Sequence, residues 1–505
     1  MVVALVFAVL ASEPAARLDS PRSATARLSS ATPQDPAVQR ARELVRAMAP
    51  GERAGQVIVA SYAGHGSPAA MVKELHLGGV VPVADNIGSA EQISSVAWSV
   101  RRAVAARGYP AFVGIDQEGG RVTRIGWSPS MMAAGAARRT DLTRALGRAT
   151  GLQMRRLGFT VVLAPVADIT IGATDPTIGT RSAGSRRGLV ASQAVAAARG
   201  LQDVGVVPVL KHFPGHGSVT TDTHLDLAVQ RRTLRQLRRL DLHPFQQAID
   251  RGVPAVMTGH IDVRAVAPGV PATLSRRVTT GLLRRQMGFD GLVVTDSLGM
   301  GAITRRARSG DAAVRALRAG ADVVLMPPNA RAARAGIIRA VREGRLAQSR
   351  VDQAATRMIA ALLREQSVNW RGVAPRSAQA AKVALTRASL TQVSGACRGR
   401  LVTGPVQVRG PKAGLFAAVA AEEGLRVGGR GPVITLFENR VPAPSQVAVA
   451  LDRPHLLGKV EAPIRFATYG HSREALRSVV LRLLGRASAP GHLPTPAGRV
   501  PRVGC

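Results

Sequence analysis

The sequence predicts an α/β protein: a (β/α)8 barrel of the TIM type followed by a smaller α/β domain. The chain has 505 residues, of which 46% are apolar, so it can build two domains with a sizeable core. Short β-branched runs alternate with helical patterns over residues 38–365. The pattern changes near residue 370. A doubly wound sheet is the alternative for the first region.

Eight apolar runs in the first region are predicted to be strands. They are nearly continuous and rich in Val and Ile, as expected for strands that are buried on both faces. They cover residues 55–61, 78–83, 110–116, 160–168, 206–212, 254–260, 291–297 and 321–327. Helical patterns such as 89–108 lie between them, and several end at Gly, which commonly stops a helix. Eight strand–helix units in about 300 residues are typical of a barrel.

The region 370–505 is predicted to be the smaller α/β domain. The segments "GPVQVRG" and "GPVITLFEN" are strand-like, and "SREALRSVVLRLLG" has the periodicity of an amphipathic helix. The tail from residue 486 onward is rich in Pro and Gly and is expected to be irregular.

The amino terminus is predicted to carry a leader and a linker. Residues 1–14 contain an apolar run followed by small residues, which resembles a secretory signal. Residues 15–37 are rich in Ser, Ala, Pro and Arg and are typical of a linker. We therefore expect an exported, extracellular or wall-associated protein, or a cytoplasmic one if the leader is an artefact. In an exported protein Cys397 and Cys505 could pair, and their spacing does not suggest a metal site.

The formal net charge is +36, and the basic residues are mostly arginine. A general compositional bias toward arginine is the stronger explanation. The alternative is attraction to an anionic surface such as a wall polymer or a membrane. Nucleic acid is not expected as a partner, because the arginines are scattered and only 3% of residues are aromatic.

Polar side chains are concentrated where the predicted strands end. They are Asp116, Asp168, Lys211 with His212, His260 and Asp296. Because the carboxyl ends of barrel strands form the rim that carries active sites, these residues are expected to meet there.

The stretch "KHFPGHGSVTTDTHLDL", residues 211–227, is expected to form a long loop over this rim. In an extended loop, Asp222 and His224 would point the same way. The carboxylate could then fix one imidazole nitrogen and leave the other to carry a proton. The alternative is a pair that only stabilises a turn.

Two further motifs contain candidate groups. Asp296 in "VVTDSLGM" could attack the anomeric carbon of a sugar, or it could cap the following helix. In "GIDQEGGRVTRI", Asp116 could accept hydrogen bonds from sugar hydroxyls, and Arg124 could donate to them or position Asp116. The alternative is a structural ion-pair network that includes Glu118 and Arg121.

Together these motifs resemble the β-N-acetylglucosaminidase branch of glycoside hydrolase family 3. The resemblance covers roughly residues 40–365 and depends on "KHFPGHG" followed by Asp-Thr-His, on "DQEGGRV" and on "VVTDSLGM". The segment "ATYGHSREALRSVVLRLLG" also resembles the second domain of that family. The resemblance implies that Asp296 is the nucleophile, that His224 is the general acid and base, and that Asp222 is its partner. It implies a terminal-sugar site made by Asp116, Arg124, Arg181, Lys211 and His212, with neither cofactor nor metal.

The function implied is exo-acting, retaining hydrolysis that releases terminal N-acetylglucosamine from peptidoglycan-derived or related glycans. A β-glycoside phosphorylase or a β-glucosidase of the same family is the alternative, because a neutral imidazole would not repel an incoming phosphate. Other classes are a zinc hydrolase using His212, His216 and His260, a Schiff-base lyase using Lys211, and a non-catalytic wall-binding protein.

Overall fold

A computed structural model describes residues 35–370, 376–501 and 505. The predicted leader and most of the predicted linker lie outside these residues. The first helix, α1 (Pro36–Ala47), begins within the last two residues predicted as linker. Asp35 caps it by accepting hydrogen bonds from the amides of Ala37 and Val38, and Pro36 suits the first helical position.

Eight parallel strands form the barrel that the sequence predicts. In chain order the strands are β1 (Ile58–Ala60), β2 (Gly79–Val80), β3 (Phe112–Ile115), β4 (Val161–Val162), β5 (Val207–Phe213), β7 (Ala255–Thr258), β9 (Leu292–Thr295) and β10 (Val324–Leu325). They are ordered β10-β1-β2-β3-β4-β5-β7-β9. A parallel bridge between Val294 and Val323 joins β9 to the segment that enters β10. Two short parallel strands, β6 (Ala228–Gln230) and β8 (Ile261–Val263), pair beside the barrel.

Helices surround the barrel. Along this region they are α1, α2 (Pro50–Gln56), α3 (Ala69–Glu74), α4 (Ala90–Ala103), α5 (Met131–Ala137), α6 (Thr140–Arg156), α7 (Arg187–Gln202), α8 (Leu234–Arg239), α9 (Leu242–Ile249), α10 (Gly301–Thr304), α11 (Ser309–Ala319), α12 (Ala330–Arg342) and α13 (Gln348–Gln366). A π-helical segment, Arg277–Gln286, precedes β9. Each barrel strand is followed by at least one of these helical segments, which is the pattern of a (β/α)8 barrel.

Seven of the eight barrel strands are shorter than the apolar runs that predicted them, and β5 is as long as its run. The run 160–168 contains only β4, followed by a single bridge between Val166 and Lys211. Pro165 interrupts the ladder because proline has no N–H to donate. Burial therefore extends further along the chain than regular pairing does, and burial is what the apolar pattern reports.

The smaller domain contains a five-stranded sheet. Its strands are β11 (Thr391–Ser394), β12 (Gln407–Arg409), β13 (Val433–Phe437), β14 (Val447–Ala450) and β15 (Ile464–Ala467), in the order β11-β15-β14-β13-β12. Only the β11–β15 pair is antiparallel. The helices α14 (Arg376–Ser389), α15 (Ala413–Glu422) and α16 (Arg473–Leu483) complete it. A disulfide joins Cys397 to Cys505, so the pairing considered from the sequence is present.

The two domains share an apolar contact. Met132 and Ala136 of α5 pack in one buried cluster with Phe437, Tyr469 and Leu493 of the smaller domain. Burying such surface at a domain interface restricts relative motion of the domains. Within residues 35–370 and 376–501, helices of the length and hydropathy needed to span a bilayer do not occur.

Candidate active site

A cavity of about 200 Å³ lies at the carboxyl ends of the barrel strands. Seven of the eight predicted site residues line it: Asp116, Arg124, Arg181, Lys211, His212, His224 and Asp296. The eighth, Asp222, contacts His224 from outside the lining. The barrel rim therefore brings together residues that lie up to 180 positions apart in the chain.

Asp296 directly follows β9. Its Oδ1 accepts a hydrogen bond of 2.8 Å from the Ser297 amide. Helix α10 begins only at Gly301, with Met300 as its N-cap residue, so Asp296 does not cap that helix. Burial favours the neutral acid, but the nearby His212 and His260 and the Ser297 amide favour the anion more. Together they hold the pKa of Asp296 below its ordinary value. Asp296 is thus a partly buried carboxylate that stays ionised.

A buried network of ion pairs forms one wall of the cavity. Lys211 Nζ lies 2.6 Å from Asp116 Oδ1 and 2.7 Å from Glu118 Oε1. Arg181 makes two hydrogen bonds of 2.8 Å to the Glu118 carboxylate. Burial opposes the charge on Glu118, but Arg181 and Lys211 outweigh it and lower its pKa. The network holds two cations and two anions in place before a substrate arrives.

His212 is fixed by a carboxylate behind it. Its Nδ1 donates to Asp168 Oδ2 over 2.7 Å, and Asp168 also accepts from the backbone amides of His212 and His216. Arg181 Nη2 lies 3.3 Å from the other ring nitrogen of His212. Asp168 therefore sets the orientation of an imidazole that faces the cavity.

The loop after β5 places His224 beside Asp222, as predicted, but through a turn and not through extended chain. Asp222 Oδ1 accepts hydrogen bonds from both the backbone amide and Nδ1 of His224, at 2.9 and 2.7 Å. The Asp222 carbonyl accepts from the amides of Leu225 and Asp226 and closes the turn. Such local side-chain to backbone bonds are what favour Asp in turns over extended chain.

The hydrogen bond to Asp222 sets the tautomer of His224. Because a carboxylate only accepts, Nδ1 carries the proton and Nε2 is left for proton transfer. No partner for Nε2 occurs in the part of the chain that the structure describes. Burial opposes ionisation of Asp222, and hydrogen bonds from the His224 amide and ring outweigh it, so the pKa of Asp222 is lowered. The side chain of His224 is 66% exposed, consistent with a group that must reach both substrate and water.

Arg124 lines the cavity, but it does not form an ion pair with Asp116 as Lys211 does. Its Nε is buried and has no hydrogen-bond partner among the described residues. A buried donor without a partner carries a free-energy penalty that a ligand acceptor would remove. Of the two roles predicted for Arg124, donation to the ligand is therefore the one this geometry supports.

Two residues of the site have supporting roles that the structure reveals. Glu118 was considered only as part of an ion-pair network, and it is the common partner of Arg181 and Lys211. His216 bonds Thr223 through Nε2 at 2.9 Å and so ties the start of the loop to the residue before His224. His216 stands in the same "KHFPGHG" stretch as His212. The sequence motif contains His216, but only the fold shows that its imidazole supports the loop.

Two alternative chemistries are not supported by this geometry. Burial alone would lower the pKa of Lys211, but Asp116 and Glu118 raise it, which keeps the amine protonated and poorly suited to Schiff-base formation. His212, His216 and His260 do not converge: groups of three or more His, Cys, Asp or Glu with metal-binding geometry are absent from residues 35–370, 376–501 and 505.

Comparison with known proteins identifies the family. The model of the glycosyl hydrolase family 3 N-terminal domain matches residues 51–361, which is more than half of the chain. The chain belongs to glycosyl hydrolase family 3. The resemblance derived from the motifs is thereby confirmed, as is the expectation of a glycoside hydrolase.

Similar proteins agree with this assignment. The chain is 36% identical over 325 residues to the β-hexosaminidase LpqI of Mycobacterium tuberculosis, covering 62% of this chain and 82% of that protein. It is 39% identical over 259 residues to a β-hexosaminidase of Stenotrophomonas maltophilia, covering 49% and 75% respectively. A family 3 β-N-acetylglucosaminidase from a Paenibacillus species superimposes with a TM-score of 0.80 at 29% identity, covering 89% of this chain and 99% of that structure. The two-domain architecture is therefore shared with a solved member of the family.

Proposed function

We propose that this protein is an exo-acting, retaining β-N-acetylglucosaminidase that releases terminal N-acetylglucosamine from peptidoglycan-derived or related glycans. The observation that carries the proposal is that Asp296, an ionised carboxylate, and His224, an imidazole with one nitrogen available, line the same cavity. The names of the similar proteins support the choice of N-acetylhexosamine.

Asp296 and His224 have different roles in the two steps of the reaction. The Asp296 carboxylate attacks the anomeric carbon while protonated His224 gives its Nε2 proton to the departing oxygen, which forms a glycosyl ester. Neutral His224 then removes a proton from water, the water oxygen bonds to the anomeric carbon, and Asp296 leaves. Asp222 holds the Nδ1 proton throughout and stabilises the imidazolium.

The other carboxylates of the cavity are poor candidates for proton transfer. Asp116 and Glu118 are both paired with Lys211, and Glu118 also with Arg181. These ion pairs occupy the two carboxylates, whose oxygens accept hydrogen bonds and suit positioning of a sugar rather than proton transfer. A cavity of about 200 Å³ accommodates a single sugar ring, which supports release from a chain end.

Trapping the covalent intermediate tests the proposal. A 5-fluoro N-acetylglucosaminyl fluoride should slow the second step, add one sugar mass to the protein, and label the peptide that contains Asp296. Asp296→Asn should take no label, and Ser297→Ala serves as the neighbouring control. Label on another residue, or an inverted anomer as the first product, would overturn the assignment.

Phosphorolysis is the alternative outcome of the second step. His224 is neutral after the first step, and an imidazole repels phosphate less than a carboxylate would. Product analysis in phosphate buffer decides between the two acceptors. Appearance of N-acetylglucosamine 1-phosphate favours the phosphorylase, and free sugar alone favours the hydrolase.

We also propose that the protein is exported and associates electrostatically with anionic wall polymers, as its net charge of +36 suggests. Binding of the purified protein to isolated cell walls should weaken steeply as salt increases. Retention that does not depend on salt would contradict this part of the proposal.

A further inference from the structure

A concave surface of the barrel, which we call the arginine groove, is lined by seven arginines. They are Arg276, Arg284, Arg285, Arg318, Arg345, Arg350 and Arg357. The groove has a volume of about 540 Å³, and none of its lining side chains is a carboxylate. It is a concentrated positive surface in a chain whose arginines otherwise looked scattered in sequence.

The arginine groove lies at the opposite end of the barrel from the candidate active site. Arg284 donates to the carbonyl oxygens of Gly291 and Gly320, which precede strands β9 and β10. Asp296 follows β9 at its other end. The five residue steps from Gly291 to Asp296 span roughly 16 Å of extended chain. A ligand in the groove would therefore leave the sugar cavity open.

Three of the arginines have a structural role. Arg284, Arg350 and Arg357 surround the fully buried Asp322, at 2.5, 2.7 and 3.4 Å. One carboxylate cannot neutralise three guanidinium groups. Burial and the nearby Arg357 and Arg350 hold the pKa of Arg284 below its usual value despite Asp322. This part of the groove keeps an excess of positive charge.

Three further arginines have no evident structural role. Arg276, Arg285 and Arg318 are exposed, and their guanidinium groups have no hydrogen-bond or ion-pair partner within residues 35–370 and 376–501. Arg345 pairs with Glu343 at the groove margin. Like-charged groups gathered around one concavity repel each other, so an anion that binds several of them at once gains their combined attraction.

We infer that the arginine groove binds a linear polyanion with phosphodiester groups, and that its occupant is an anionic wall glycopolymer. Guanidinium groups match phosphate oxygens in pairs, and a row of them fits a row of phosphates. No aromatic side chain lines the groove, so it offers no stacking surface for nucleobases. The choice of a wall polymer, though not the phosphate chemistry, rests on the proposed function.

The test measures binding of the full chain to a synthetic glycerol phosphate oligomer over a series of salt concentrations. The groove variant is Arg276→Gln/Arg285→Gln/Arg318→Gln. The control is Arg398→Gln/Arg400→Gln/Arg430→Gln, which removes the same charge from exposed positions of the smaller domain. The melting temperature of each variant is measured to confirm folding. An oligonucleotide with the same number of phosphates provides the comparison ligand.

We expect the groove variant to bind the oligomer at least about 10-fold more weakly and the control to remain within about 2-fold of the parent. The slope of log affinity against log salt should fall by about two in the groove variant. Equal weakening in both variants would assign the binding to net charge and overturn the inference. Tighter, groove-dependent binding of the oligonucleotide would overturn the assignment to a wall polymer.

Activity separates this inference from the proposed function. Hydrolysis of an aryl β-N-acetylglucosaminide should have the same kcat and KM in the parent and the groove variant, because the groove lies at the other end of the barrel. An inactive parent that still binds the oligomer would count against the proposed function alone. A groove variant that is folded and active but binds the oligomer normally would refute binding at the arginine groove.

Discussion

The proposed acid–base residue, His224, lies on an exposed turn, and its ring tautomer depends on one hydrogen bond to Asp222. Asp222 accepts both the amide and the ring proton of His224. The ordinary pKa of an imidazole, about 6.5, already suits a group that must give and take a proton near neutrality. A carboxylic acid in the same role would need burial to raise its pKa.

Removing His224 should affect substrates according to their leaving groups. His224→Ala should lower kcat about 10²- to 10⁴-fold for an alkyl glycoside, which needs protonation, and much less for a dinitrophenyl glycoside, which does not. Steady-state kinetics on a series of aryl glycosides measures this difference. His65→Ala, at an exposed position outside the cavity, is the control. An equal loss for all leaving groups would contradict the role of acid.

The charge on Asp296 predicts the acid limb of the pH profile. Its pKa is depressed, because His212, His260 and the Ser297 amide outweigh burial. The proposed nucleophile is therefore ionised above its lowered pKa, and activity should be lost only as pH falls below the ordinary carboxyl value of about 3.9. His260→Gln should move this limb to higher pH. Measurement of kcat/KM from pH 3 to 8 tests it, and an unchanged limb would contradict the electrostatic account.

At the scale of elements, the loops after β3 and β4 are held in place by contacts on two sides. On the cavity side, Glu118 of the loop after β3 pairs with Arg181 of the loop after β4. On the other side, Asp452 of the smaller domain accepts from Arg121 and Thr180, which belong to the same two loops, at 3.3 and 2.9 Å. The smaller domain thus holds in place the loops that carry the proposed sugar-binding residues.

Asp452→Asn should weaken the contact between the smaller domain and these two loops. We expect KM for an aryl N-acetylglucosaminide to rise about 3- to 30-fold while kcat changes little, because the loops position the sugar and not the nucleophile. Glu461→Gln, an exposed carboxylate of the same domain, is the control. A loss of kcat with unchanged KM would show that Asp452 acts on the chemical step instead.

At the scale of the whole molecule, Glu365 links stability to pH. It lies in α13, next to Arg155, and burial raises its pKa from its ordinary value of 4.5 to about 7. The folded state therefore binds more protons than the unfolded state between these values. This contribution to stability is complete below pH 4.5 and is lost as pH rises through 7.

Glu365→Gln keeps the side chain neutral at every pH. The variant should match the parent near pH 4 and exceed it at pH 8 by roughly 3 kcal/mol in free energy of unfolding. Urea unfolding at the two pH values measures the difference. The exposed Glu461→Gln should show no such pH-dependent gain, and a parent whose stability rises with pH over this interval would contradict the prediction.

Local sequence patterns were enough to predict the barrel, the second domain and the candidate residues. Buried parallel strands need continuous β-branched runs, and active groups of a barrel follow those runs, so local pattern was enough to find Asp116, Lys211, His212 and Asp296. The Asp222–His224 pair was also local, because it lies within one turn.

The residues that support the site become apparent only once the chain is folded. Glu118, Asp168 and His216 act through partners between 7 and 93 positions away, and Asp452 reaches two barrel loops from another domain. The arginine groove likewise gathers residues from several helices that no period in the sequence connects. Contacts between distant segments depend on how the elements pack, and a one-dimensional pattern contains only the propensity of each element to form.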